Sequence, residues 1–173
     1  MAVVISMLRG VNVGAHHRMK MADLRAVYES LGHKDVRTYV QSGNVISRGA
    51  ASAVKIEDAI EQKFGFRPAV ILRTPEELRA VIARNPFEGV APAKLLVCFL
   101  PRNPGEEAGE RVRTLPPTPE QVRLDGKEMY IYFPDGMARP KLSMPAVEKA
   151  LKVAGTGRNW NTVLALLEIA ESL

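Results

Sequence analysis

The chain has 173 residues, 46% hydrophobic and 25% charged, which is ordinary globular composition and enough for one core or two small lobes sharing one. No stretch approaches the ~20 apolar residues of a membrane-spanning helix, so no membrane role is expected, and the single cysteine, Cys98, excludes an intrachain disulfide. The net charge of +5 comes from the first half: residues 1–86 hold 13 Lys and Arg against 8 Asp and Glu, and residues 87–173 hold 11 against 11. Such a basic surface favours phosphate- or carboxylate-bearing ligands.

In chain order, the continuous apolar run over 2–8 predicts a strand buried on both faces. It is too short for a signal peptide, and its basic residue, Arg9, follows it. Without export signals or disulfides, the expected compartment is the cytoplasm. A helix is predicted over 19–31, with Met21, Leu24, Val27, Tyr28 and Leu31 as its stripe and Gly32 ending it. Alternation over 36–41 predicts a strand, Ser42-Gly43-Asn44 a turn, and 45–47 a partner strand. A helix over 54–64 closes at Gly65, and 69–72 is a further short strand. This strand–helix–strand–strand–helix–strand order predicts a ferredoxin-like lobe over 1–73.

Thr74-Pro75-Glu76-Glu77 is a strong helix start, with Thr74 and Glu77 as a capping box. Then follow a buried strand over 94–100 that takes in Cys98, a polar helix over 106–114, and a hairpin around Asp125-Gly126. Ser143 caps a helix, and a last helix begins near Trp160. The expected fold class is therefore α+β, with two ferredoxin-like split β-α-β lobes over 1–73 and 74–173. The second is expected to lack its last strand and to end in a C-terminal helix, with no flexible linker between them.

Three polar strings exceed what folding alone demands: Arg9-Gly10-Val11-Asn12-Val13-Gly14, Gln41-Ser42-Gly43-Asn44 and Arg158-Asn159-Trp160-Asn161-Thr162. The first follows a strand, and its glycines allow backbone N–H groups close to an anion. It matches neither the dinucleotide fingerprint nor the P-loop. It continues through His16, His17 and Arg18 to Lys20, an acid-free basic segment. Gly43 and Asn44 serve as turn formers, whereas Gln41 and Ser42 are not needed for that. Asn159 is a plausible N-cap, and Arg158 beside a helix start is suited to an anion. Lys141 adds a cation near Ser143 in a stretch, 137–160, whose one acid is Glu148. No Ser-His-Asp set, paired carboxylates, cysteine cluster or cofactor box occurs, so no cofactor, metal or catalytic residue is assigned.

The strings resemble the bacterial family known as domain of unknown function 1697. The matching pieces run from Leu8 to Gly14, Met21 to Arg25, Leu31-Gly32, Val36 to Val45, Tyr132 to Gly136, Lys141 to Ser143 and Arg158 to Val163. Ala15, Pro140 and Gly157 stand where the family pattern has Gly, Ser and Thr. The resemblance implies an α+β fold and carries over no catalytic residues.

Three readings of the strings are open. In the first, a binding module holds a nucleotide, nucleic acid or small anion with Arg9, Asn12, Gln41, Ser42, Asn44, Lys141, Arg158 and Asn159. In the second, the strings are hydrogen bonds that fix the lobes. In the third, an enzyme acts on a small anionic metabolite, with His16, His17 and Asp135 as its acid–base candidates. The oligomeric state is not readable from the sequence.

Overall fold

The computed structural model of the chain describes residues 1–40 and 43–173. It is an α+β protein with two four-stranded antiparallel sheets and six α-helices among the described residues. The chain forms two compact units, Met1–Ala80 with Ala165–Leu173, and Val81–Leu164.

The first unit runs β1 (Val3–Leu8), α1 (Met21–Ser30), β2 (Lys34–Tyr39), β3 (Asn44–Arg48), α2 (Ala53–Phe64) and β4 (Val70–Arg73). Its sheet order is β2-β3-β1-β4, with β1 antiparallel to both neighbours. Strand side chains alternate between faces. Leu8, Val45 and Val70 form a core with Leu24, Val27 and Tyr28 of α1 and Ile56 and Ile60 of α2. The alternate residues Ile5, Met7, Ile46 and Ile71 are buried as well. Burial on both faces is why β1 reads as an apolar run broken only by Ser6, itself buried. Local chemistry sets the helix ends. Ser52 Oγ accepts from Lys55 N (3.4 Å) to start α2, and Gly65 ends it at φ +82°. Thr74 and Glu77 cap each other reciprocally at 3.0 Å, starting α3 (Pro75–Ala83).

The second unit contains β5 (Leu95–Phe99), α4 (Glu106–Arg113), β6 (Gln121–Asp125), β7 (Glu128–Tyr132), α5 (Met144–Leu151), β8 (Thr156–Asn159) and the first turn of α6 (Trp160–Ser172). Its sheet order is β6-β7-β5-β8. The expectation that this half lacks its last strand is therefore corrected. Thr156-Gly157-Arg158-Asn159 is not a loop ahead of the helix but a strand, registered from Phe99↔Thr156 to Leu96↔Asn159. The stretch has no apolar alternation. The backbone groups of β5, offered along one side, recruit it, and tertiary context overrides propensity.

The two sheets share one register. Leu8 N donates to Gly43 O and Leu100 N to Lys127 O, both at 2.8 Å. Counting from these points, Arg73 opposite Ile5 matches Arg158 opposite Val97, and both arginines are buried.

Candidate functional site

The segment from Arg9 to Lys20, which links β1 to α1, is held in an unusual shape. Gly10, Asn12, Gly14 and His17 all have left-handed φ, between +51° and +70°. Glycine adopts this at no steric cost, while asparagine and histidine enter it more readily than other side chains but still at a cost the surroundings must offset. Besides a hairpin bond from His16 N to Val13 O (3.1 Å), these contacts hold the loop. Asn12 N donates to His17 O (3.0 Å), Asn12 Oδ1 accepts from Met19 N (2.8 Å), and His17 Nδ1 lies 3.2 Å from Gly10 O. A carbonyl only accepts, so Nδ1 carries the hydrogen. Val11 and Met19 are buried and anchor the loop to the core, while Val13 at its tip is exposed.

The turn between β2 and β3 leans on this loop. A Cβ on Gly43 would sit 2.5 Å from Val11 Cγ2 and 3.0 Å from Leu8 Cβ. Val40 enters the turn at φ +50°, a strained conformation for a β-branched residue. Asn44 is fully buried, and its Nδ2 donates to Tyr39 O (2.8 Å), closing the turn from below. Two of the three polar strings therefore meet at one end of one sheet. Gln41 and Ser42 lie outside the described residues.

Beside the loop lies an open groove of about 620 Å³, walled by Asn12, Arg18, Lys20, Asp23, Phe64 and two methionines. Helix α1 begins in this wall. Its N-cap is Lys20, whose side chain makes no cap; Asp23 N donates to Lys20 O (3.1 Å) and Asp23 places a carboxylate in the first turn, which leaves the N–H groups of Met21 and Ala22 as the open positive end. Arg18 and Lys20 are exposed and in no ion pair among the described residues. Asp23 is the acid in the wall. Arg67, further along the surface, is by contrast committed to Glu57 (3.3 Å), Asp58 and Glu61 (3.6 Å). Phe64 in the wall and Phe66 beside it are half-buried against the core.

The remaining sequence-predicted residues are placed as follows. Arg9 is half-buried, and its backbone N donates to Ala69 O (2.9 Å). In the second unit Arg158 is only 5% exposed, and its Nη1 donates to Thr156 Oγ1 (2.7 Å) and Gly157 O (2.9 Å). Burial lowers its guanidinium pKa to about 10. Asn159 Oδ1 accepts from Thr162 N (2.9 Å) as the N-cap of α6. Lys141 is exposed, and the neighbouring Ser143 caps α5 through Ala146 N (3.3 Å). His16, His17 and Asp135 are exposed. Cys98 is buried, and no group of three His, Cys, Asp or Glu among the described residues could hold a metal.

Residues 1–130 match the family of proteins of unknown function DUF1697. The chain belongs to that family. The matched span takes in the loop, the turn and the whole groove of this DUF1697 protein, and stops before Lys141 and the Arg158 string. A solved structure of a conserved bacterial protein from Streptococcus pneumoniae is similar, with a TM-score of 0.68 at 21% identity, covering 97% of this chain and 98% of that one. At that identity the likeness is one of fold. No curated protein matches. No helix of this DUF1697 protein, among the described residues, is long and apolar enough to cross a membrane.

Arg18, Lys20 and Phe64 were not among the site residues expected from sequence. The signal for the two cations is the acid-free run from Arg9 to Lys20. No sequence signal points to Phe64, which reads simply as the last apolar position of α2.

Proposed function

We propose that this DUF1697 protein binds a phosphate-bearing ligand in the groove at the start of α1. The observation that carries this is the meeting of two uncommitted cations, Arg18 and Lys20, with a helix N-terminus that has no side-chain cap. Backbone N–H groups and the helix dipole attract an anion there, and the cations add charge-assisted hydrogen bonds. In this reading Asn12 holds the loop in shape, Asn44 braces the turn, and Arg9 adds positive charge beside them. Gln41 and Ser42 stay in the proposal on their sequence alone. The reading includes a cytoplasmic setting, in keeping with one buried cysteine, and a ferredoxin-like identity for each unit, supported by the shared strand order.

A second reading applies to the other strings. The internal bonds of Asn44, Arg158 and Asn159 favour a structural role: closing a turn, holding β8 and capping α6. Lys141, exposed beside the α5 cap, stays a candidate anion contact within the second unit.

The test is calorimetric titration of the protein with tripolyphosphate at low and high salt, repeated on a double variant carrying Arg18→Ala and Lys20→Ala. Binding is expected to be saturable, to weaken with salt, and to fall at least about tenfold in the double variant, since hydrogen bonds to charged groups are worth about 1.5–3 kcal/mol each. Unchanged affinity in the variant would sink the reading. Arg158→Lys is expected to leave binding in this groove unchanged.

A further inference from the structure

An aromatic ladder next to the groove is more than an anion site requires. His17 is exposed, yet its ring lies flat on Phe66, with centroids 4.3 Å apart and planes 10° from parallel. Phe66 in turn tilts onto Phe64 (6.1 Å, 42°), and Phe64 is part of the groove wall. The chain places the imidazole there at φ +51°, a conformation that costs free energy for histidine and persists only when surroundings enforce it. They do so on both sides of the residue. Its Nδ1–H points at Gly10 O, and its own carbonyl accepts from Asn12 N. The result is a flat, exposed ring immediately before Arg18 in the chain, backed by two phenyl rings that rest on the core.

We infer that the His17 ring is a stacking platform for the base of a nucleoside phosphate, whose phosphates lie in the groove against Arg18 and Lys20. This rests on the anion-binding reading above and adds the class of the ligand. A π-face beside a cationic groove is the combination that recognises nucleotides without reading their sequence, because every base has a flat face and every nucleotide a phosphate.

The full chain is titrated with tripolyphosphate, ribose 5-phosphate, ATP and a short oligoadenylate. The titrations are repeated on His17→Asn, which removes the ring but tolerates the left-handed backbone, and on Phe66→Leu, which removes the support beneath it. Melting temperatures establish that both variants are folded. ATP is expected to bind about tenfold tighter than tripolyphosphate, and His17→Asn to abolish that advantage while tripolyphosphate binding is retained, because the Asn12 contacts that keep the loop in shape remain. Phe66→Leu is expected to reduce the same advantage. Tighter binding of the oligonucleotide than of ATP, with the same loss in His17→Asn, assigns the base to a single strand, and the reverse order assigns it to a free nucleotide. Equal binding of ATP and tripolyphosphate, indifferent to His17→Asn, overturns the stacking inference and leaves the anion site standing. Ribose 5-phosphate binding as tightly as ATP also overturns it, since the sugar would then supply the contact. If neither ATP nor tripolyphosphate binds, both readings fall.

Discussion

Gly43 is the point at which the two loops of the groove region touch, and replacing it with alanine tests that junction. Two costs add. At φ +86° an L side chain is strained by roughly 1–2 kcal/mol. The new Cβ would also stand 2.5 Å from Val11 Cγ2 and 3.0 Å from Leu8 Cβ. Both neighbours are buried and fixed in the core, at 2% and 1% exposure, so neither can swing away as a flexible surface side chain would. Overpacking of this kind costs about 1–3 kcal/mol, bringing the expected loss to about 2–5 kcal/mol. Gly14→Ala supplies the control. It lies in the adjoining loop at φ +58° with nothing within 4 Å of its would-be Cβ, so only the backbone term applies. Urea unfolding of the two variants, followed by tryptophan fluorescence and circular dichroism, gives the difference directly. Gly43→Ala should be the less stable by about 1–3 kcal/mol. If the two variants unfold at the same midpoint, the loop and turn do not pack against each other as described.

Two further outcomes concern stability. His33 is buried with Nδ1 2.8 Å from Ser47 Oγ and its ring edge-on to Tyr28 (5.4 Å), and burial pulls its pKa below the ordinary 6.5. The unfolded chain then binds the proton more readily than the folded one. Stability should fall as pH drops below about 6.5, by up to about 1.4 kcal/mol per pH unit, until the folded ring itself protonates. Urea midpoints at pH 7.5 and 5.0 should converge in His33→Gln, and a pH dependence identical to that of the wild-type chain would contradict the assignment. Thr74→Ala should cost about 1 kcal/mol by removing half of the reciprocal cap with Glu77. The loss should not add to that of Glu77→Ala, which a double-mutant cycle reads.

Features set by short-range chemistry are legible in the residues themselves. The Thr74–Glu77 box, the Ser143 and Asn159 caps and the Asp125-Gly126 turn each join groups within three or four residues of one another, so their residue types announce them. The burial of β1 and of Cys98 is equally readable, because a run of apolar side chains has nowhere else to go. The element order of the first unit follows from its alternation of helix and strand periods, whereas the strand order β2-β3-β1-β4 comes from pairing in the structure. The groove is only half visible. Its cations stand in the basic segment from Arg9 to Lys20, but Phe64 enters its wall from the end of α2, some forty residues downstream.

What sequence alone determined was the class, α+β, most element types and the capped helix ends at Thr74, Ser143 and Asn159, because propensity, periodicity and capping act over a few residues. What tertiary structure decided were the features that need a distant partner. β8 exists because β5 supplies a ladder about sixty residues away, and Arg158, which reads as a free cation beside a helix start, is instead carried by that strand into a buried position. Asn44 likewise turns inward to close its own turn. The aromatic ladder from His17 to Phe64 arises only when the loop after β1 and the end of α2 are brought together. Local rules name the pieces, but long-range pairing and burial decide which polar side chains are consumed inside the fold and which face solvent.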